Sequence, residues 1–398
     1  MKILSFGCRL NTFESKIIQE LLEKEPDIFV INTCAVTHEA ERQCCQAIRK
    51  VARENPNMKI IVTGCAAQLN PKKYADMPEV YKVVGNIEKL SKDCLLQGDK
   101  VQVQNILNAE FDVPIVTDFD GRTRAFLQIQ QGCSHACTFC IVRNARGKNR
   151  GLPLEQILSQ AQHFVENGYS ELVLTGVDIT SYPDGFNKLL EEILTNVSGL
   201  KRLRLGSVDP ACLDDEFISL FSKYDVLMPH LHLSMQAGDD MILKRMGRRH
   251  NRSMVLNACQ KLRKIRKDFV FGADFITGFP TETEEMFLNT MRFVEEANIT
   301  LLHVFPYSVR PETPAAKMPM TDMFERRRRA GALRALGDKL HKDCLDSYIG
   351  KTLNVLVEKE STGYSENYLK VKTNCDITGE IVPVVIVGRK ENELVGQA

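Results

Sequence analysis

The sequence predicts an α/β chain in three parts: an N-terminal open parallel sheet with helices, a partial (β/α)6 barrel, and a small antiparallel β-barrel at the C-terminal end. Three observations predict it. Short apolar runs alternate with helix-like stretches up to about residue 105, six further runs of that kind fill 125–347, and from 348 onward apolar and polar residues alternate with the period of strands. The parts are expected at 1–105, 125–347 and 348–398, with a linker at 106–124.

At 398 residues the chain exceeds what one hydrophobic core usually holds, since cores seldom grow past roughly 250–300 residues. Its 52 basic and 51 acidic residues give a net charge of +1, so contact with nucleic acid must come from a local basic patch. The start, Met-Lys-Ile-Leu-Ser-Phe-Gly7, lacks the pattern of a cleavable leader, and no apolar run approaches the ~18 residues that span a bilayer. A soluble, cytoplasmic protein with no membrane partner is expected. Thirteen cysteines in a reducing compartment point to metal ligation or to small buried hydrophobes rather than to disulfides. Spacing has to separate the two.

In the first part, residues 3–6, 28–31 and 59–62 read as parallel strands. Each ends in a turn that delivers a cysteine: Cys8 after Gly7, Cys34 after Asn32-Thr33, and Cys65 after Gly64. The carboxyl ends of parallel strands share one edge, and ligands bind where strand order reverses. Cys8, Cys34 and Cys65 are therefore expected to converge on a shared metal. Cys44 and Cys45 fall inside a helix predicted over 39–54 and Cys94 in a late helix or loop, where packing accounts for them.

In the second part the runs lie at 126–129, 172–174, 203–205, 231–235, 270–276 and 301–305, with helix-like segments at 154–167, 186–197, 253–265 and 284–296. Chemistry is expected at the carboxyl ends of such strands. Directly after the first run comes Cys133-Ser-His-Ala-Cys137-Thr-Phe-Cys140. Three thiolates on one tight loop hold one corner of an iron–sulfur cubane and leave one iron open. Zinc is the alternative, but it wants a fourth ligand, and His135 reads as a solvated or hydrogen-bonded loop residue.

That spacing resembles the radical S-adenosylmethionine superfamily. The resemblance implies that S-adenosylmethionine chelates the open iron and is cleaved reductively to a 5′-deoxyadenosyl radical. It implies Phe139 against the adenine, Thr175 and Gly176 in the loop that holds the methionyl amino group, and Gly278 in the adenine-contact loop. Ser207, with Asp209, ends the third strand, and Ser234 and Gln236 end the fourth, where such a cofactor would lie. Gly, Ser and Asp also abound in ordinary turns.

Taken with the three strand-end cysteines and the β-rich tail, nearly the whole chain resembles the radical S-adenosylmethionine methylthiotransferases. The resemblance is carried by Phe6-Gly-Cys-Arg-Leu-Asn11 with Glu14, Asn32-Thr-Cys-Ala-Val-Thr37, Thr63-Gly-Cys65, Gly132-Cys133 through Cys140, Ala145-Arg-Gly-Lys-Asn-Arg150, His232-Leu-Ser-Met-Gln236 and His303-Val-Phe-Pro-Tyr-Ser-Val-Arg310. The family usually has a proline shortly after the last loop cysteine, where this chain reads Ile141-Val-Arg143-Asn144. The resemblance implies a second 4Fe-4S cluster on Cys8, Cys34 and Cys65 that carries the sulfur, beside one on Cys133, Cys137 and Cys140. It implies no catalytic dyad, because the hydrogen removed sits on a carbon that is no acid and the cofactor does the difficult chemistry.

The tail looks like the RNA-gripping TRAM module of that family, with Tyr364, Tyr368, Lys370 and Lys372 as candidate RNA contacts against the plain reading of strand exteriors. Arg143, Arg146, Lys148 and Arg150 beside the loop cysteines are candidate phosphate or cofactor contacts. Arg326 to Arg329 form a run on a helix predicted over 322–348, of which only part can face RNA. The Gly-Cys-Arg-Leu-Asn, Asn-Thr-Cys-Ala-Val-Thr and His-Val-Phe-Pro-Tyr-Ser variants resemble the branch that modifies N6-threonylcarbamoyladenosine at carbon 2 in the anticodon stem-loop of tRNA. The alternatives are an enzyme acting on isopentenyladenosine tRNA or on an aspartate of a ribosomal protein. Of another class is a non-catalytic RNA-binding protein with structural zinc.

Overall fold

The computed structural model describes residues 1–109, 113–119 and 121–398. Its first sheet has five parallel strands, Lys2–Ser5, Ile28–Thr33, Lys59–Gly64, Val80–Val84 and Val101–Gln102, which follow chain order across the sheet. The central strands are near-continuous apolar runs because both faces are covered. Ile18, Leu22 and Leu95 pack with Val30, Ile61 and Val84, whereas Ile48, Val51 and Tyr74 pack with Ile31, Ile60 and Val62. The order of these strands never reverses, so the crevice expected at a reversal is absent. Adjacency gathers the cysteines instead: they follow three neighbouring strands, which a sheet spaces about 4.8 Å apart. The helix predicted over 39–54 runs His38–Glu54, is capped by Thr37 accepting from the Ala40 N–H at 3.1 Å, and buries Cys44.

Six parallel strands make the second part: Arg124–Gln128, Glu171–Thr175, Arg202–Arg204 resumed as Ser207–Val208, His230–Gln236, Val270–Thr277 and Leu301–Pro306. The third is interrupted at Leu205-Gly206, where a Cβ on Gly206 would stand 2.8 Å from the Leu174 carbonyl oxygen. Among the described residues the first and last strands do not pair, which leaves the barrel open along one side. Helices Leu154–Glu166, Phe186–Asn196, Asp215–Lys223, Arg252–Ile265 and Glu284–Glu296 share one apolar core with the strands. The helix predicted over 322–348 runs Met323–Asp346. Of the stretch expected as a linker, 110–112 and 120 lie outside the described residues; the rest is no loose connector, because Val113, Val116 and Phe119 are buried in the barrel core.

The tail forms a closed barrel of Thr352–Val357, Thr362–Ser365, Lys370–Lys372, Ile381–Lys390 and Glu393–Gln397. The expectation of a wholly antiparallel barrel is corrected: Lys370–Lys372 pairs in parallel with Glu393–Gln397. Geometry demands it, since a closed ring with an odd number of strands cannot alternate direction throughout. This barrel plugs the amino-terminal end of the larger one. Arg202 donates to the carbonyls of Asn354 and Tyr364, and Arg204 to those of Ser365 and Glu366 while forking onto Glu171 at 2.9 and 3.0 Å. No helix among the described residues is long and apolar enough to cross a membrane.

Candidate metal and substrate site

The first cysteine trio is assembled by polar side chains that lace neighbouring strand ends. Asn11, one turn into the helix Arg9–Leu21, donates to the carbonyls of Phe6 (2.7 Å) and Thr33 (3.0 Å), and Asn32 donates to the Asn11 carbonyl and to Ser15 Oγ. The Thr33 hydroxyl donates to the Thr63 carbonyl at 2.6 Å. Cys34 thereby comes within electrostatic reach of both Cys8 and Cys65. Gly7 and Gly64 precede two of the cysteines with φ of +95° and +94°, the left-handed region that glycine favours. A Cβ on Gly7 would lie 2.8 Å from Cys34 Sγ, so the missing side chain leaves a cradle between the thiols.

The second trio sits on a loop pinned at both ends, with Cys133 N–H donating to the Gly147 carbonyl at 3.0 Å and Thr138 N–H to the Met246 carbonyl at 2.9 Å. Cys133 is within electrostatic reach of Cys137 and Cys140. Arg248 ties this loop to the barrel, with Nη1 3.5 Å from Cys137 Sγ and Nη2 donating to Asp209 (3.0 Å) and to the Ser234 carbonyl (2.9 Å). Asp178 accepts from His135 Nε2 at 2.9 Å and lies 3.8 Å from Cys133 Sγ. His135 is thus a hydrogen-bonded loop residue.

Burial pushes the Cys34 and Cys133 thiols up to about 12 and that of Cys140 to about 11. As free groups they hold their protons at neutral pH, and iron would take the proton's place. Soft sulfur donors in two trios, a cradle beside one and a guanidinium against each suit iron–sulfur clusters better than a hard cation.

A buried network joins the trios. Arg146 closes the short helix Val142–Arg146 after Cys140, and its Nε stands 3.1 Å from Cys65 Sγ. The same guanidinium pairs with Glu14 and bonds Asn11, while Lys89 Nζ donates to Glu14 (2.6 Å) and to Asn86 Oδ1 (2.8 Å). Burial alone would push the Glu14 carboxyl up; Arg146 and Lys89 overcome it and hold it at about 2. Burial also pulls Lys89 toward its neutral form, but its contacts with ionised Glu14 and Asn86 are those of an ammonium.

Other predicted contacts fall where the structure gives them different work. Arg146 is 1% exposed, so it cannot meet a phosphate, and Arg150 is turned inward onto the carbonyls of Ala109 and Arg146. Tyr368 is no strand exterior: at φ +70° its ring stacks on His230 (4.6 Å between centroids) and Tyr364 (4.9 Å), and its hydroxyl accepts from Arg9 Nη2 at 3.3 Å. Arg143 is half-buried and Lys148 exposed; Lys370 is exposed and paired with Glu393 at 2.9 Å. Of the arginine run, Arg326 and Arg329 are buried and Arg327 and Arg328 exposed.

Of the predicted cofactor contacts, Ser234 and Gln236 are half-buried, with the Ser234 carbonyl accepting from Arg248 and Gln236 at φ +71° where the strand register slips. Ser207 is exposed, and Phe139 packs half-buried on the barrel core. Thr175 is buried with its hydroxyl on the Val173 carbonyl. Gly176 makes room for Gln130, whose Oε1 accepts from the Val177 and Asp178 N–H groups, and Gly278 is buried beneath Arg326. Sequence reasoning missed Arg248, Asp178 and Lys89. Arg248 had a signal: Gly247 at φ +74° ends the helix Asp240–Met246, and a basic pair follows it.

A half-open parallel barrel whose first strand feeds a three-thiolate loop defines the class of radical S-adenosylmethionine enzymes. The model of the Radical SAM superfamily matches residues 127–294, and that of the Uncharacterized protein family UPF0004 matches 1–85. Relatives named threonylcarbamoyladenosine tRNA methylthiotransferase MtaB share 46% identity in Rickettsia prowazekii (98% of this chain, 95% of that one) and 37% in Bacillus subtilis (96% and 92%). A tRNA-2-methylthio-N(6)-dimethylallyladenosine synthase of Roseobacter denitrificans is 31% identical over 98% of this chain and 97% of its own. Among solved structures, the radical S-adenosylmethionine methyltransferase TsrM from Kitasatospora setae has a TM-score of 0.58 at 14% identity, over 77% of this chain and 69% of that one, which shows a shared fold. The chain belongs to the radical S-adenosylmethionine methylthiotransferase family. Its cofactors are two 4Fe-4S clusters and S-adenosylmethionine.

Proposed function

We propose that this enzyme adds a methylthio group to carbon 2 of N6-threonylcarbamoyladenosine beside the anticodon of tRNA, in the cytoplasm. The observation that carries the reading is full-length similarity to relatives named for that substrate, at 46% identity. Cys8, Cys34 and Cys65 would hold the cluster that provides sulfur, and Cys133, Cys137 and Cys140 the one that binds S-adenosylmethionine. Together these groups supply a carbon-centred radical and the methylthio unit.

The protein's own part is placement. Arg146 and Arg248 set guanidinium charge against Cys65 and Cys137, where thiolate-rich clusters carry negative charge. Ser234, whose carbonyl takes the Arg248 guanidinium that also faces Cys137, and Gln236, turned out of the sheet pattern at a strand slip, would face the cofactor in the lumen. Arg143 and Lys148 remain accessible for phosphates of an anticodon stem-loop, whose unstacked bases reach a lumen at little cost.

Mass spectrometry of tRNA nucleosides from a deletion strain tests the substrate. Loss of the 2-methylthio form of threonylcarbamoyladenosine is expected; loss of the dimethylallyl derivative instead, or an unchanged profile, refutes it. Anaerobic reconstitution should give about eight irons per chain, against none for a zinc protein.

A further inference from the structure

Three further polar side chains meet in the lumen. His232, Asp274 and His303 lie on the fourth, fifth and sixth barrel strands, with Asp274 directly beside His303 in register. Asp274 Oδ1 accepts from His232 Nε2 at 3.0 Å and from His303 Nδ1 at 3.2 Å, and the two imidazoles stand 4.7 Å apart. His232 is enclosed: a Cβ on neighbouring Gly272 would be 2.7 Å from its Nδ1. His303 is the open member, with 64% of its side chain accessible and Nδ1 already spent on Asp274. Burial pushes the Asp274 carboxyl up, but the two imidazoles more than offset this and keep it well below the ordinary range. Two residues down the strand, His230 is buried with neither ring nitrogen hydrogen-bonded, and Arg9, the residue after Cys8, reaches the same end of the lumen through Tyr368.

We propose that His303, held by Asp274 and backed by His232, binds the carboxylate of the substrate's N6 side chain through Nε2, the ring nitrogen that Asp274 does not engage. The proposal rests on the function proposed above and names what selects that substrate. In adenine, carbon 2 and N6 lie at the two ends of the N1 edge. With carbon 2 presented to the cysteine trios, the N6 substituent points down the barrel. His232 precedes Ser234 and Gln236 by two and four residues, or about 6–13 Å at ~3.3 Å per residue, a span covered by a purine edge and a short side chain. A threonylcarbamoyl group ends in a carboxylate, and a dimethylallyl group ends in methyls that would leave a polar triad unanswered. Abstraction of hydrogen from carbon 2 needs no acid or base, so recognition is the use left for an exposed imidazole nitrogen.

The test is equilibrium binding to the reconstituted, full-length enzyme under anaerobic conditions. Three anticodon stem-loops serve as probes, carrying threonylcarbamoyladenosine, its methyl ester, or unmodified adenosine. The parent should bind the free acid about tenfold more tightly than the ester, as expected for one charge-assisted hydrogen bond. His303→Phe should weaken the free acid by that factor and leave the other two probes unchanged, with KM for the acid raised and kcat at saturation retained. Equal weakening of all three probes, or no change for the acid, overturns the proposal. A preference that depends on added Zn²⁺ also overturns it, by showing a cation seat. Failure of the parent to methylthiolate the acid-bearing stem-loop while it modifies a dimethylallyl one is a different result, and it removes the proposed function itself.

Discussion

Arg146 Nε lies 3.1 Å from Cys65 Sγ, so the helix that leaves one cysteine trio ends on a residue of the other. The contact is buried, and so is its partner Glu14, at 1% exposed. Arg146→Met should therefore lower stability by about 3–5 kcal/mol, the usual cost of leaving a buried charge without its main partner. Anaerobic urea denaturation reads this directly. Arg146→Lys keeps a charge but cannot reach Cys65 and fork onto Glu14 at once. It should fold with an altered electron paramagnetic signal from the first trio's cluster and an ordinary one from the second's.

Gly7→Ala tests the cradle. Its Cβ would meet Cys34 Sγ at 2.8 Å on a backbone with φ +95°. Iron content should fall from about eight toward four per chain. Reductive cleavage of S-adenosylmethionine to 5′-deoxyadenosine should persist while sulfur insertion stops, the pattern also expected for Cys8→Ala. Cys133→Ala should abolish cleavage. Equal loss of cleavage in Gly7→Ala and Cys133→Ala would show that the trios are not separable.

Much of this was legible in the sequence, and the reason is period. Strands at 28–31 and 59–62 are continuous apolar runs because parallel sheets bury both faces, and the six barrel strands between residues 126 and 305 carry apolar residues into a shared core even where alternate positions are polar. The cysteines were legible because each follows such a run. Strand order was not, since nothing local in a parallel strand names its neighbour. Nor could a basic residue's address be read. Arg146, Lys148 and Arg150 alternate within five positions, yet Arg146 is buried, Lys148 exposed and Arg150 half-buried, because Glu14 lies over a hundred residues away in sequence and next to Arg146 in space. Tyr368 misled for the same reason: its stacking partner His230 belongs to another barrel.

Glu171 should set part of the acid sensitivity. Burial pushes its carboxyl up, but Arg204, with Arg124 and Arg202, holds it below the ordinary 4.5. A depressed carboxylate contributes fully above its unfolded value, and the contribution is lost as pH falls through the lower folded one. Glu171→Gln should cost about 3–5 kcal/mol at neutral pH by stranding Arg204. It should then lose less than the parent on going from about pH 5 to pH 3. Comparing urea midpoints of the metal-free proteins keeps cluster loss out of the measurement.

Lys148 and Arg150 should separate cleanly in RNA binding. Lys148→Glu should weaken tRNA binding severalfold and reduce the slope of log affinity against log salt by about 0.7–0.9, as for one lost phosphate contact. Arg150→Gln should leave that slope unchanged, because its guanidinium is engaged with the Ala109 and Arg146 carbonyls. A matching loss of slope in both would mean that Arg150 turns outward when RNA is present.

Asn11, Glu14 and Lys89 come from the first hundred residues and Arg146 from beyond them, yet the four occupy a single buried charge cluster. Recombination between two family members at the junction after the first sheet would split that cluster between parents. A mismatched parent would meet an ion pair with one member missing, so the two cluster-bearing modules are bound to be inherited as a matched set. Chimeras built for new substrates should move that boundary past Arg146, or carry all four residues from one parent.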